Sequence, residues 1–321
     1  MTNIVFDTDP GIDDAIAILL ALASTKEINV EAICTVNGNS PIDTVTRNAC
    51  RILELAGRAD IPVYRGSEKP LVRENLGEKP FHGPDGLGSS ALPEPQKKAE
   101  KENAVDYLVS QAKKEKGELT VLAIGPLTNI ARCVKKDKDF ASCIKELVIM
   151  GAAEFKGNRT PYAEFNWWKD PEAADIVMKA GFKKITLIGL EATGCVTLTP
   201  ALRELLYLID TPVSREMHHM TRTYADNYWK FHQRLGCELC DVVTTAFVLD
   251  QSVCDLKEAN VEVILNGKEE GRSVVRRISD NPDLKPNCRI AVSADSKKLF
   301  TLMFEKMFPD YADYIVKENL I

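Results

Sequence analysis

The stretch IVFDTDPGIDD, residues 4–14, decides how this chain folds and where its chemistry lies. Its first three residues are apolar and predict a buried strand, while the mostly apolar residues 15–23 predict a helix. Pro10 and Gly11 favour a turn between the two elements. The stretch therefore places its acidic residues at the carboxyl end of a strand, where open parallel α/β sheets bind their ligands.

Four carboxylates surround this turn: Asp7, Asp9, Asp13 and Asp14. Like charges this close repel strongly unless a positive group lies among them. The hard cations Ca²⁺ and Mg²⁺ prefer oxygen ligands and would neutralise such a cluster. One or two aspartates at a helix start are commonly a solvated cap, stabilised by the helix dipole. Four of them beside a buried strand favour a metal site.

The composition is that of an ordinary globular protein of 321 residues, with 45% hydrophobic and 27% charged residues. The net charge of −6 indicates no basic surface, so neither nucleic acid nor a membrane is expected as a partner. No apolar run reaches the roughly 18 residues of a membrane helix. Residues 15–23 follow aspartates and not a basic segment, which argues against a signal peptide and favours a cytoplasmic location.

The nine cysteines are scattered along the chain, which predicts reduced thiols and not a disulfide scaffold. Cys237 and Cys240 form a single CxxC motif. Structural zinc requires a second pair of ligands at suitable spacing, and the sequence offers none. The motif also lies late in the chain, away from the βαβ start that a thioredoxin-like function requires. A redox or zinc site is therefore not favoured here.

The chain alternates strands and helices, which predicts a mostly parallel, twisted central sheet with flanking helices. Strands are predicted at 4–6, 29–35, 62–64, 119–124, 147–150, 184–190, 260–265, 273–278 and 289–293. Helices are predicted at 15–23, 41–56, 100–116, from 170 onward, at 199–235, 241–249 and 296–308. Residues 66–95 are rich in Gly and Pro and predict a long loop. One α/β domain over residues 1–321 is the simplest interpretation.

Polar residues follow several of these strands, and in a parallel sheet such turns share one edge. We therefore expect a set of distant residues to converge there: Asp9, Asp14, Asn39, the Ile124 carbonyl, Asn158, Glu164 and Asn166. Asn and Glu side chains suit a hydroxyl-rich ligand such as a sugar. Taken singly, each is more simply an ordinary turn residue.

Residues 7–15, DTDPGIDDA, resemble the amino-terminal signature of the inosine–uridine preferring nucleoside hydrolases. Further blocks are similar to that family in the same order: NGN at 37–39, GPLTN at 125–129, EFN at 164–166 and DPEAA at 170–174. Together they cover most of residues 4–250. The resemblance implies a Rossmann-like nucleoside hydrolase fold and hydrolysis of the N-glycosidic bond of ribonucleosides.

The resemblance also implies a site. One Ca²⁺ would be held by Asp9, Asp14, the Ile124 carbonyl and Asp241, and ribose hydroxyls would complete its 6–8 oxygen ligands. Asp13 matches the general base that activates a Ca²⁺-bound water, and the transition state would be oxocarbenium-like. The remaining matches lie in the ribose pocket: Asn39, Asn158, Glu164 and Asn166 on the hydroxyls, with Met150 and Phe165 beside them.

The half of the site that would face the base departs from the family pattern at one position. His82 matches a family histidine near the base, and Tyr228 and His232 lie where the family has a mobile helix. Many members carry a His before the last metal-binding Asp, but this chain has Cys240, like one branch of the family. A protonated Cys240 thiol could donate a proton to the leaving base, but a thiol is a weak hydrogen-bond donor. Cys240 is interpreted equally well as a small buried residue beside the pocket, without a catalytic role. Purine or pyrimidine preference stays open, and a homodimer or homotetramer is expected by resemblance alone.

Two other classes of protein share part of this pattern. Residues 4–9, IVFDTD, also resemble the opening of haloacid dehalogenase-like phosphatases, in which Asp7 would be the nucleophile and Asp9 the acid, with Mg²⁺. That motif continues differently, and no matching late pair of aspartates follows a strand. A non-catalytic nucleoside-binding protein would keep the ribose pocket but would have no need of Asp13.

Overall fold

The computed structural model describes residues 1–74, 81–88 and 90–317. Its sheets contain β1 (Thr2–Thr8), β2 (Ile28–Thr35), β3 (Val63–Arg65), β4 (Leu119–Ala123), β5 (Ile144–Met150), β6 (Ile185–Ile188), β7 (Thr197–Leu198), β8 (Cys237–Glu238), β9 (Cys254–Val263), β10 (Ser273–Arg277) and β11 (Cys288–Ala294). All but β7 and β8 form one nine-stranded sheet in the order β10-β9-β11-β6-β5-β4-β1-β2-β3. β7 and β8 form a small antiparallel pair.

The large sheet is parallel from β3 through β6 to β11, and β9 is antiparallel to both of its neighbours. The predicted mostly parallel sheet is therefore confirmed. The strand order changes direction between β1 and β4, because the chain first adds strands on one side and then on the other. Such a switch point opens a crevice at the carboxyl ends of the strands.

The helices are α1 (Ile12–Ala23), α2 (Ile42–Leu55), α3 (Ala104–Glu115), α4 (Thr128–Lys136), α5 (Phe140–Cys143), α6 (Phe165–Lys169), α7 (Pro171–Lys179), α8 (Leu190–Thr193), α9 (Pro200–Ile209), α10 (Pro212–His232), α11 (Cys240–Leu249), α12 (Ser296–Met307) and α13 (Pro309–Lys317). They cover both faces of the sheet with two apolar clusters. Along β1, Ile4 and Phe6 join one cluster and Val5 joins the other, which is the alternation that a strand imposes.

α1 is apolar on nearly every side because it lies in the interior, against the sheet and α11. Every residue from Ile12 to Leu22 is buried. The two aspartates of its first turn, Asp13 and Asp14, are therefore enclosed with it. No helix within the described ranges is long and apolar enough to cross a membrane.

Several predicted elements differ from the structure, and the helices predicted at 15–23 and 100–116 begin at Ile12 and Ala104. The predicted helix at 199–235 is two helices, because Asp210 turns left-handed (φ 55°) and Thr211 caps α10 through a hydrogen bond from the Ser214 amide. β9 begins at Cys254, before the predicted 260, and α13 was not predicted. The predicted loop at 66–95 contains neither helix nor strand where it is described; residues 75–80 and 89 lie outside the described residues.

Candidate active site

An acidic cluster lies at the switch point between β1 and β4. Asp9 follows β1, Asp13 and Asp14 open α1, and Asp241 lies in the first turn of α11. Carboxylate oxygens of Asp13, Asp14 and Asp241 lie within 4.8 Å of one another. The fold therefore brings Asp241, which only the family resemblance implied, close to residues at the start of the chain.

Short polar contacts fix two of these carboxylates. Asp14 accepts hydrogen bonds from the Thr8 hydroxyl (2.6 Å), the Gly11 amide (2.9 Å) and the Asn39 side chain (3.1 Å). Asp9 Oδ2 accepts from the Asn39 backbone N–H at 2.6 Å. These bonds orient the oxygens before any ligand arrives.

Electrostatics make this cluster costly without a cation. Burial raises the pKa of Asp13 to about 7, and the Asp14 charge adds to the effect. Burial also raises the pKa of Asp9 and Asp241 well above the ordinary range, with neighbouring carboxylates contributing. Asp9 Oδ1 is buried without a hydrogen-bond partner among the described residues. An all-oxygen donor set with an unpaired buried oxygen fits a hard divalent cation.

Asp7 does not join the cluster. Its side chain accepts a hydrogen bond of 2.7 Å from Asn129, whose Oδ1 accepts from the Ser67 amide at 2.8 Å. Asn129 also donates to the Thr35 carbonyl at 2.9 Å, so Asp7 helps to tie the ends of β1 and β2 to α4. A nucleophilic role for Asp7, as the phosphatase alternative requires, is not favoured by this position.

A cavity of about 760 Å³ opens above the cluster. One half, called the polar half here, is lined by polar side chains together with Ile124, Met150 and Phe165. Its residues lie at or after the ends of β2, β4 and β5, or in and before α6: Asn39, Ile124, Met150, Asn158, Glu164, Phe165 and Asn166. Glu164 caps α6 by accepting from the amides of Asn166 (2.8 Å) and Trp167 (3.1 Å), and burial raises its pKa to about 7. The structure thus brings the whole predicted ribose set together.

Local hydrogen bonds hold this half in place. Asn166 donates to the carbonyls of Ile124 at 3.0 Å and Met150 at 3.2 Å, and so joins the ends of β4 and β5. Asn158 Oδ1 accepts from the Phe165 amide at 2.9 Å. Each amide side chain keeps further donor or acceptor positions for a ligand.

The other half of the cavity is aromatic. Two of its rings come from the loop segment 81–88 and the other four from α10: Phe81, His82, Tyr224, Tyr228, Phe231 and His232. Phe81 contacts Tyr224 and Tyr228 edge-on, with ring centroids 5.6 and 5.5 Å apart. Asn227 donates to the Phe81 carbonyl at 2.7 Å and anchors the loop on α10. A flat heteroaromatic base suits such walls.

The tautomer of His82 follows from its contacts. Its Nδ1 accepts a hydrogen bond of 3.1 Å from the Ile12 amide, so the ring proton lies on Nε2. Burial lowers the pKa of His82 to about 4, and its Nδ1 lies 3.9 Å from Asp13 Oδ1. His82 is thus a neutral hydrogen-bond donor at neutral pH and not an imidazolium acid.

Tyr224 is a site residue that the sequence interpretation missed. Its hydroxyl hydrogen-bonds the Asp13 carboxylate and so lowers the pKa of Asp13, against the larger effect of burial. Its ring also lies 4.9 Å from that of His82. The sequence feature that could have identified Tyr224 is its spacing from Tyr228 and His232, because these aromatic residues recur every four positions on one face of α10.

Cys240 is buried beside the acids at the start of α11. Burial raises the pKa of its thiol well above the ordinary range, and the Asp13 charge adds to this, so the residue stays protonated. Cys237, at the other end of the CxxC motif, is also a buried free thiol. Among the described residues, Asp13, Asp14 and Asp241 are the one group of three or more possible metal ligands found, and the CxxC motif is not part of it.

Comparison with known proteins defines the class. The model of the inosine–uridine preferring nucleoside hydrolase family matches residues 4–301. The chain is 34% identical over 314 residues to probable uridine nucleosidase 2 of Arabidopsis thaliana, covering 95% of this chain and 97% of the relative. It is 35% identical over 311 residues to the pyrimidine-specific ribonucleoside hydrolase RihA of Salmonella gallinarum, with the same two coverages.

Solved structures agree. A plant nucleoside hydrolase, the PpNRh1 enzyme, superposes with a TM-score of 0.89 at 33% identity, covering 95% of this chain and 98% of that one. A purine-preferring ribonucleoside hydrolase from Gardnerella vaginalis gives the same TM-score and coverages at 29% identity. The chain belongs to the inosine–uridine preferring nucleoside hydrolase family.

Family membership confirms the predicted fold and makes the protein a ribonucleoside hydrolase. The phosphatase and the purely binding alternatives are not favoured by any of these relatives. The family uses a metal ion, and the acidic cluster of Asp13, Asp14 and Asp241 is the matching feature of this structure.

Proposed function

We propose that this protein hydrolyses ribonucleosides to free base and ribose with Asp13 as the general base. One observation carries the proposal: Asp13 lies in the acidic cluster and also lines the cavity between its polar and aromatic halves. A carboxylate in that position can take a proton from water attacking C1′ of a ribose bound on the polar side. Base and ribose are the products that nucleoside salvage uses.

We propose Ca²⁺ as the ion, held by Asp9, Asp14, the Ile124 carbonyl and Asp241. The fit rests on the oxygen-only donors and on the unpaired, buried Asp9 Oδ1. A bound Ca²⁺ would polarise water and bind the ribose 2′- and 3′-hydroxyls. Gly38 supports this geometry, since a Cβ there would collide with the Asp9 carboxylate.

The remaining roles divide between the two halves of the cavity. Asn39, Asn158, Glu164 and Asn166 are proposed to bind the ribose hydroxyls, beside Met150 and Phe165. Glu164 and the aspartates would stabilise positive charge that develops on the sugar in an oxocarbenium-like transition state.

On the aromatic side, we assign base binding to Tyr228 and His232. The Nε2–H of His82 is a hydrogen-bond donor for the leaving base. Cys240 is the second candidate donor, because its thiol is protonated and lines the same cavity.

Three further properties stay predictions. We propose that residues 1–321 form one nucleoside hydrolase domain, in keeping with the continuous nine-stranded sheet. A homodimer or homotetramer is tested by analytical ultracentrifugation. A cytoplasmic location, favoured by the nine free cysteines, is tested by cell fractionation.

The test of the activity is direct. The protein is incubated with inosine and with uridine in the presence of Ca²⁺, and free ribose is measured as reducing sugar. We expect ribose from at least one of them. Binding of nucleoside without ribose release would support a binding protein, and release of phosphate from a generic phosphomonoester would support the phosphatase alternative.

A further inference from the structure

A charged pair lies in the wall of the cavity, apart from the acidic cluster. Glu238 forms an ion pair with Arg234, and both line the cavity alongside Phe231 and His232. The Glu238 side chain is only 15% exposed, whereas Arg234 is half exposed. None of the roles assigned above uses this pair.

The local backbone directs Glu238 into the cavity. It lies in β8, paired with Thr197 of β7, and its neighbours Cys237 and Leu239 are buried at 1% and 0% exposure. Successive side chains of a strand point to opposite faces, so Glu238 points away from the core that encloses these neighbours. Gly194 of the α8 turn lies alongside, where a Cβ would be 3.9 Å from Glu238 Oε1.

Arg234 is placed by the end of α10. Gln233 adopts a left-handed conformation (φ 52°), and the Arg234 amide then donates to the Tyr228 carbonyl at 3.4 Å. The guanidinium is close enough to His232 to lower the pKa of that imidazole, after the larger effect of burial. The pair therefore belongs to the aromatic half of the cavity.

The chemistry of the pair is specific. A carboxylate only accepts hydrogen bonds and has about four lone-pair sites, while a guanidinium only donates and has five N–H groups. The ion pair between them uses only part of this capacity, so Glu238 keeps free acceptor sites and Arg234 keeps free N–H donors for a ligand. Together they complement a planar ligand edge that carries an N–H beside a carbonyl oxygen or a ring nitrogen.

We propose that Glu238 and Arg234 form a subsite that binds the polar edge of the nucleobase, with Glu238 accepting a base N–H and Arg234 donating to the adjacent acceptor. This inference rests on the proposed function, since it assumes that a nucleoside occupies the cavity. Its ligand is a ribonucleoside whose base ring presents such an edge, stacked among Phe81, Tyr228 and Phe231. The pair would thus determine substrate specificity.

The test combines enzyme and substrate changes. Values of kcat/KM are measured for inosine against purine riboside, which lacks the N–H and carbonyl of that edge, and for uridine against pyrimidin-2-one riboside. The variants are Glu238→Ala and Arg234→Ala, with Glu238→Gln as a second form that keeps the side-chain shape. Asp226→Ala and Arg222→Ala are matched controls, because these residues form an exposed ion pair on α10 (2.9 Å).

Loss of a hydrogen bond to a charged group should reduce the preference for inosine or uridine over the analogue by about 10- to 100-fold in Glu238→Ala. Both controls should keep the wild-type ratio. A merely structural role would lower kcat/KM for both nucleosides alike. An unchanged ratio in folded Glu238→Ala and Arg234→Ala would therefore overturn the subsite alone, whereas Glu238→Gln, whose side-chain oxygen can still accept the base N–H, should keep part of the preference. Absence of ribose release from every nucleoside by the wild type would overturn the activity and the subsite together.

Discussion

The two halves of the cavity are built in different ways. The polar half and the acidic cluster beneath it come largely from the ends of β1, β2, β4 and β5, where a short hydrogen bond joins the Asn39 backbone N–H to Asp9. The aromatic half comes from a loop and the long helix α10, whose rings meet at centroid distances near 5.5 Å. The first half is set by strand geometry, and the second by side-chain packing between two separate segments.

This difference suggests a division of labour. All ribonucleosides share the ribose, and the proposed metal site is the same whatever the base. The ends of the strands can therefore hold the residues for ribose and metal in one arrangement. Bases differ in size and in polar edges, and in the proposed function they face the loop and α10. Gly88 shows how closely these segments pack, because its positive φ (67°) and its approach to the Met220 carbonyl leave no room for a Cβ. Changes in the polar half should therefore abolish catalysis, whereas changes in the aromatic half should alter its rate or selectivity.

Metal removal should have the largest effect. Treatment with a chelator is expected to reduce ribose release below detection, and added Ca²⁺ should restore it. A ligand present at 100 times its Kd stabilises the folded state by about 2.7 kcal/mol, so Ca²⁺ should also raise the melting temperature. Full activity after metal removal, measured on protein shown to be metal-free, would contradict the site.

The metal-free protein should also have an unusual pH dependence. Asp13 and Glu164 have a pKa of about 7 when folded, against roughly 4 in an unfolded chain. Between these values the folded state binds more protons, so its free energy of unfolding decreases as the pH rises. The melting temperature should be about 2–4 °C or more higher at pH 5 than at pH 8. Saturating Ca²⁺ should reduce or reverse this difference.

Asp13→Ala should cause the next largest loss of activity after metal removal. Loss of a general base typically lowers kcat by about 10²- to 10⁴-fold, and Ca²⁺ should still bind through the other ligands. Steady-state kinetics and calorimetric titration of Ca²⁺ measure the two effects. The matched control is Asp43→Ala, since Asp43 is an exposed carboxylate paired with Arg65. Retention of more than a tenth of wild-type kcat would exclude Asp13 as the base.

The acidic cluster beneath the polar half was also easier to predict from sequence than the aromatic half, for a physical reason. Asp9, Asp13 and Asp14 follow one apolar strand within a few residues, so local pattern alone indicated a site. Asp241 lies far along the chain and was placed only by resemblance to a family. Its approach to Asp14 depends on the packing of α11 against α1, which no local signal reports.

Other misses have similar causes. The sequence predicts one helix in place of α9 and α10 because apolar and aromatic residues continue through the break, although Thr211 followed by Pro212 is a recognised helix start. The pattern predicts the start of β9 at residue 260 and not at Cys254, because the first residues of the strand combine exposed charges with half-buried apolar positions. Tyr224 was overlooked because its role depends on a contact with Asp13 across two helices.

A change at Tyr224 should have a smaller effect than one at Asp13. Tyr224→Phe removes one hydroxyl, and a hydrogen bond of about 0.5–1.5 kcal/mol corresponds to roughly a 2- to 12-fold lower kcat/KM. Because the hydroxyl lowers the pKa of Asp13, its loss should move the acidic limb of the pH–rate profile to higher pH. Tyr207→Phe, on the exposed side of α9, is the control. A fall in rate with an unshifted limb would separate Tyr224 from Asp13.

Cys240→Ala should have the smallest effect and tests the aromatic half most sharply. The thiol is protonated, but it is a weak donor, and the neutral Nε2–H of His82 lies in the same cavity. We therefore expect kcat to fall by less than about tenfold, with the loss due mainly to altered packing. A general acid contributes about 10²- to 10⁴-fold, so a loss in that range, with unchanged Ca²⁺ binding, would identify Cys240 as the proton donor. Cys237→Ala is the matched control, because it removes the neighbouring buried thiol of β8, which does not line the cavity.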